Sequence, residues 1–555
     1  MKFGLLLLFF SLPAVFAMSA APKTIEQADL VLKNCTVITM EPSRPRAGAV
    51  AVKGERILWL GESPDASAWI GKNTRVLDLN GAFVYPGLIE SHAHILSLGN
   101  SRMNIDLVGT PDKNAVVEKV RERASRTAKG EWIQGRGWDQ NDWPVKEFPT
   151  APDLDAAAPD NPVVLGRVDG HAVWVNSRAL QAAGITAATK DPDGGKILRD
   201  AKGNPSGVLV DMAVDLVTSK MKVLTMDETT QRIRLALREA LEKGITMITD
   251  AGSGENGGKD LEAYRALAAR RDLSLRIYSM VWMPGDAGAA LLRMGPENDG
   301  PYLDVRCLKL IVDGALGSRG AALLAPYSDD PANTGLLIWK EPELMDVLQR
   351  AKAKGLQVGI HAIGDRANRM VLDAYEKIGV QGLRWRVEHA QVLAPADIPR
   401  FAALDVIASM QPVHATSDGP WATDRLGPER VKGAYAWRSL LDQHTVIAGG
   451  SDAPVEDINP LWGIYAAITR QDHSGKPDGG WHPEQIVTRE EALRMYTLDA
   501  AHAAFRDLDL GSIKEGKLAD LVVLPQNLLT CDPKAMVDMK VLYTIVGGQV
   551  RYPFP

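Results

Sequence analysis

Cysteine is scarce: Cys35, Cys307 and Cys531 are the only three in a chain of 555 residues. Three thiols build no disulfide framework, and no C-x-x-C pair exists to hold a metal. They read as small buried hydrophobes. A Cys35–Cys531 bridge stays open as the one pairing that chain ends meeting in an oxidising compartment would permit. Blocks of Lys or Arg are also missing. The net charge is −6 with the signs interspersed, so no basic stripe awaits a nucleic acid and no such partner is expected. Beyond the N-terminal segment no apolar run is long enough to cross a bilayer. Internal repeats and low-complexity tracts are absent as well. What remains, 45% hydrophobic and 24% charged residues, is the composition of a globular enzyme. The chain is too long for one small core.

At the N-terminus Lys2 precedes the apolar run Phe3 to Phe10, followed by Pro13 and the small-residue stretch Ala14-Val15-Phe16-Ala17. That is the n-region, h-region and cleavage-site order of a secretory signal. Residues 1–21 are therefore expected to be a signal peptide, cut after Ala17, with Ala20 and Ala21 as rival sites. An uncleaved anchor or a buried N-terminal helix is the alternative. The mature protein is expected to be exported across the inner membrane, without stable membrane insertion, and periplasmic in a Gram-negative cell.

Two β-rich flanks surround a different centre. Residues 22–85 alternate short strands with Gly, Pro and Asn turns, and residues 506–555 do the same, which predicts one small β-sandwich domain assembled from both termini. Between them, 86–505 alternates apolar strands with amphipathic helices, the rhythm of a parallel sheet. Eight strands are predicted: Ala82–Glu90, Ile245–Asp250, Leu275–Trp282, Cys307–Val312, Leu356–Ile360, Arg384–Glu388, Val406–Met410 and Thr445–Ala448. That number closes a distorted (β/α)8 TIM barrel. Residues from about 115 to 226, rich in Trp and Gly, are too long for a barrel connection and read as a subdomain inserted after the first strand.

In such a barrel, chemistry sits at the C-terminal strand ends. The first strand runs into His92-Ala-His94, whose imidazoles share one face of an extended segment and reach one ion. The fourth carries Lys309, the fifth ends at His361, the sixth at His389 and the eighth at Asp452. Singly each has a bland explanation: a chance H-x-H, a snorkelling lysine, a turn aspartate. Together, each at the active end of its strand, they read as a metal centre of imidazole and carboxylate, a donor set that suits zinc and its neighbours.

That order of His, Lys, His, His and Asp resembles the binuclear metal-dependent amidohydrolase superfamily. So do Pro86-Gly-Leu-Ile-Glu-Ser-His-Ala-His and Gly516-Lys-Leu-Ala-Asp-Leu-Val-Val. The runs from Lys309 to Gly320, Ile360 to Ala367, Gly137-Trp-Asp and His171 to Leu180 are similar to one branch. This is the amidohydrolase 3 family, a YtcJ-like group that includes N-substituted formamide deformylases. The resemblance implies two divalent ions, a Lys309 carboxylated on its ε-nitrogen and bridging both, and a hydroxide between them. It implies that His92, His94 and Asp452 hold the more buried ion and that His361 and His389 hold the other. Asp452 would move the nucleophile's proton to the leaving amine. The substrate expected is a small non-peptide amide or formamide, and a homodimer is a family-level expectation. His171, Trp138, Asp139 and His414 are weaker candidates for substrate contact, with Asp313 and Arg319 as groups supporting the ligands. A deaminase, a lactone or ester hydrolase on the same barrel, and a non-catalytic binding relative remain as alternatives; Lys309 speaks against the mononuclear deaminases.

Overall fold

The structure is a computed structural model that describes residues 1, 26–255, 257–298 and 300–554. Apart from Met1, the expected signal peptide and its cleavage sites lie outside the described residues. Eight strands form one parallel sheet in chain order: β1 (Leu88–Ala93), β2 (Ile245–Ser253), β3 (Arg276–Trp282), β4 (Leu303–Ile311), β5 (Gln357–Ala362), β6 (Arg386–His389), β7 (Ile407–Met410) and β8 (Ile447–Gly449). Just beyond these strand ends a single parallel bridge, Ala93 to Ala453, joins the seam, so the barrel is nearly closed. Helices cover the outside. Met226–Glu242 begins with a Thr225–Glu228 capping box and turns Ile233, Ala236, Leu237, Ala240 and Leu241 inward at helical spacing. Among the described residues no helix is long and apolar enough to cross a membrane.

One predicted strand divides in two. Phe83–Pro86 pairs with Thr36–Ile38 and Leu521–Leu524 in a separate sheet, and the barrel begins only at Leu88. The hand-over falls at Gly87, where a Cβ would sit 2.3 Å from Thr246 Oγ1 on β2. Only a glycine lets the backbone pass that close.

Two further sheets use the chain ends. The first holds Arg56–Gly61, Ala49–Lys53, Leu30–Lys33 and Arg75–Asp78. The second joins Gln549–Tyr552, Tyr543–Val546 and Leu521–Leu524 to Phe83–Pro86, Thr36–Ile38 and Arg46–Ala47. Leu32, Val50, Ile57, Val84, Leu521 and Ile545 share one apolar cluster. All three cysteines are free thiols, so the Cys35–Cys531 pairing is not made.

The clamp between these strands and the barrel is a buried ion pair. Arg276 at the start of β3 donates from Nε and Nη2 to both oxygens of Asp520, each at 2.8 Å, and both side chains are buried. Asp520 also accepts from Gly547 N. Removing one partner of such a pair strands the other charge. Asp520→Ala should cost about 3–5 kcal/mol, read as a lowered denaturation midpoint. An unchanged midpoint would show that water repairs the site.

Between β1 and β2 the chain builds a sheet of its own, ordered Gly195–Arg199, Pro205–Asp211, Ala172–Val175, Val163–Arg167, Ile133–Trp138 and Ile105–Asp106. It starts at Ile105, upstream of the boundary near 115 expected from composition. The strand Ile105–Asp106 is only two residues long, too short for an alternating pattern to mark it.

Candidate metal centre

The structure brings His92, His94, Lys309, His361, His389 and Asp452 to one end of the barrel. His92 Nε2 lies 3.2 Å from Lys309 Nζ and 3.5 Å from Asp452 Oδ1, and His94 Nε2 lies 3.1 Å from the same oxygen. The ring of His389 is 4.9 Å from that of His92 and 4.6 Å from that of His361. Ligand atoms of His92, His389 and Asp452 fall within 4.8 Å of one another, a grouping that cuts across the two-ion partition implied by the resemblance. Barrel pairing places these side chains: Lys309 lies opposite Gly359, Ile311 opposite His361, and Ala362 opposite His389. His389 and Asp452 both hold left-handed backbone, at φ 72° and 58°. Such conformations cost about 1–3 kcal/mol each for ordinary residues and persist where surrounding structure enforces them.

The electrostatics prepare a cation site. Burial, then the Lys309 charge, lowers His92 to about 4. Burial holds His361 and His389 well below the usual imidazole range. Neutral imidazole is the form that binds metal. Burial alone would raise Asp452, but the bond from His94 and the nearby rings win and keep it a carboxylate. Burial lowers the pKa of Lys309. Among the described residues His361 Nε2 is buried without any hydrogen bond, and buried Asp452 Oδ1 has the edges of His94 and His92 beside it, 3.1 and 3.5 Å away. Orphaned nitrogen and oxygen atoms converging on one space fit a divalent ion.

A second layer holds the imidazoles. His92 Nδ1 donates to Glu388 Oε2 at 2.6 Å, and His389 Nδ1 donates to Gln411 Oε1 at 2.8 Å. Each bond selects the tautomer whose Nε2 is free for a metal. Glu388 in turn accepts from Arg386 at 2.7 and 2.9 Å, and Arg386 also donates to Ser91 O and Ser409 Oγ. Glu90 accepts from His92 N and Ser451 N. Sequence reasoning missed Arg386, Glu388 and Gln411. Two charges at i and i+2 in a strand otherwise fully buried were the available signal.

The weaker candidates divide. His171 reaches the centre: its ring is 5.0 Å from that of His361, and Nδ1 donates to Asp211 Oδ1 at 2.7 Å. The bond to Asp211 outweighs burial and raises its pKa to about 9. His414 stacks on His389 at 6.1 Å, with Nε2 unpartnered. Asp313 accepts from the amides of Ala322, Ile363 and Gly364 and lies 3.5 Å from His361 Nε2; burial pushes it up to about 7. Asp139 is taken up by Arg167, a buried guanidinium that also binds Gln140 and Asp169. Two expectations need correction. Trp138 lines no pocket: it is fully buried among Trp143, Phe148 and Trp174, with Nε1 donating to Leu165 O, because its own sheet needs that core. Arg319 supports no ligand; it points to Asp329, which it shares with Arg425.

A profile of the amidohydrolase family matches residues 75–552. The chain is 38% identical over 539 residues to protein LONG AFTER FAR-RED 3 of Arabidopsis thaliana, covering 95% of this chain and 92% of that one. It is 35% identical over 483 residues to the putative amidohydrolase YtcJ of Bacillus subtilis, covering 86% and 90%. It is 29% identical over 548 residues to the N-substituted formamide deformylase of Arthrobacter pascens, covering 95% and 99%. Among solved structures, an uncharacterized metal-dependent hydrolase from Pyrococcus horikoshii superposes with a TM-score of 0.74 at 27% identity, covering 91% and 99%.

Proposed function

This chain belongs to the amidohydrolase family, and from that premise we propose that it is an exported hydrolase of a carbon–nitrogen bond in a small non-peptide amide or formamide. The observation that carries the reading is Lys309, buried at the strand-end cluster 3.2 Å from His92 Nε2. A permanent ammonium there would repel the cations that the surrounding donors attract. Its depressed pKa favours the free amine, which adds to carbon dioxide to give a carbamate and release one proton. His92, His94, His361, His389, Asp452 and the carbamate of Lys309 would then hold two divalent ions, for which zinc is the preferred identity. When bound, the ions supply Lewis acidity that makes water nucleophilic near neutral pH and polarises a carbonyl.

The chain's own groups do the rest. Asp452, kept a carboxylate, would accept the proton of the attacking water and return it to the leaving nitrogen. Glu388 and Gln411 keep His92 and His389 in the tautomers that leave Nε2 available. The sheet between β1 and β2 is read as an inserted subdomain that shapes the mouth. The export reading rests on the order of Lys2, apolar run and small-residue stretch. N-terminal sequencing of protein from a periplasmic fraction would check it; a chain starting at Met1 would refute it.

Protein purified with zinc and bicarbonate should contain about two ions per chain and release formate or acetate from N-substituted formamides and acetamides. Two bound ions with turnover confined to lactones or esters would move the assignment to those bonds. Absence of metal would favour a non-catalytic relative.

A further inference from the structure

We propose that His171, delivered by the sheet between β1 and β2 and positioned by Asp211, is a catalytic residue whose free imidazole edge hydrogen-bonds the substrate oxygen on which negative charge develops. The proposal rests on the reading of the strand-end cluster as a hydrolytic metal centre. It assigns to the intervening sheet a chemical role that no ligand at the barrel ends supplies.

The geometry begins with how His171 is held. Asp211 clasps it twice: its backbone amide donates to His171 O at 2.8 Å, and its Oδ1 accepts from Nδ1 at 2.7 Å. The amide of His171 donates to Asp169 Oδ1 at 3.0 Å. With Nδ1 engaged, only Nε2 is left to act. The side chain is not sealed in: it stays 17% exposed while those of His92 and His361 are at most 3%. The ring lies beside His361, 5.0 Å between centroids, and its Nδ1 is spent on Asp211 rather than on the strand-end cluster. It stands next to the centre without belonging to the donor set.

Asp211 is built in at some cost. It adopts left-handed backbone, φ 49°, and its side chain is 2% exposed. The loop after β4, the one that carries Lys309, makes room for it. A Cβ at Gly314 would sit 2.6 Å from Asp211 Oδ2, and one at Gly320 would sit 2.7 Å from the same atom. A Cβ at Gly317 between them would sit 3.0 Å from Arg167 Nη1. The glycines of Asp313-Gly-Ala-Leu-Gly-Ser-Arg-Gly320 therefore form a cradle for the Asp211 carboxylate and for Arg167. A surface histidine needs no such seat; a side chain whose aim must hold within a fraction of an ångström does. Donors fixed before reaction and aimed at developing charge stabilise the transition state more than the bound substrate.

Methylphosphonate, a tetrahedral anion, serves as the probe. It is titrated calorimetrically into zinc-loaded wild type and the variants His171→Asn, His171→Gln and Asp211→Asn, with metal content measured on the same samples. His171→Asn and His171→Gln should bind it on the order of 10²-fold more weakly at unchanged metal content. Asp211→Asn should fall between them and wild type. In turnover of an N-substituted formamide, kcat should drop by about the same factor while KM stays within about threefold, the signature of a contact made only in the transition state. Affinity within about threefold of wild type in both His171 variants would overturn the assignment. So would loss of metal from both, which would make His171 a ligand, and so would a wild type that ignores the probe. A wild type that binds methylphosphonate His171-dependently but cleaves no amide refutes the amide reading and leaves His171 in place.

Discussion

Lys309→Ala should purify as a folded protein with about one ion per chain or none, where wild type should hold about two, and should lose on the order of 10³-fold in kcat/KM. The fold survives because the change removes a costly group. Lys309 is 1% exposed, and among the described residues its amine finds only His92 Nε2 within hydrogen-bond reach. Metal should be lost, because on the proposed partition His361 and His389 would be left as two neutral donors for the second ion. A closed site takes four, and even an open catalytic one keeps three. The lost activity corresponds to several kcal/mol of transition-state stabilisation, at about 1.4 kcal/mol per tenfold. Lys309→Ala would open a cavity beside the proposed ligands, so millimolar propionate should restore part of both metal and activity by placing a carboxylate where the proposed carbamate would stand. Two ions and full activity in the variant would remove Lys309 from the centre. One ion in both proteins would favour a mononuclear site.

The histidines and Asp452 were legible because they sit where apolar runs stop, and Lys309 because it is a charge set inside one. Barrel geometry turns that one-dimensional position into a common place in space. Strand periodicity located all eight barrel strands but joined Phe83–Pro86 to Leu88–Ala93, because both halves are apolar and the sheet change at Gly87 leaves no mark in hydropathy. Trp138 misled for the opposite reason. An aromatic in a Gly-rich stretch looks like pocket lining, but the sheet from Ile105 to Asp211 has its own core to fill. The supporting shell was illegible in a stricter sense. Glu388 meets His92 across 296 positions and Asp211 meets His171 across 40. A lone acidic residue in a strand carries no sign of which partner it will find.

Glu388 tests that hidden layer most severely. Glu388→Gln should weaken metal binding by about 10–100-fold, the usual effect of losing the partner that orients a ligating histidine. It should also destabilise the protein by about 3–5 kcal/mol, since Arg386 would keep its buried charge opposite a neutral amide. The two effects separate in a double variant. Arg386→Met with Glu388→Leu removes both charges, so much of the lost stability should return. Metal affinity should stay low, because His92 Nδ1 still lacks its acceptor. Burial alone would raise the Glu388 pKa, but Arg386 and His92 hold the carboxyl well below the ordinary range. A depressed folded pKa adds stability that is present above the unfolded value of about 4.3 and is lost only as pH falls through the folded one. Wild type should therefore lose this contribution in strong acid, and the double variant should lack that part of the acid transition. Melting curves from neutral to strongly acidic pH, run beside zinc titrations, measure both quantities. If the double variant regained metal affinity along with stability, Glu388 would be holding up the barrel and His92 would need no partner.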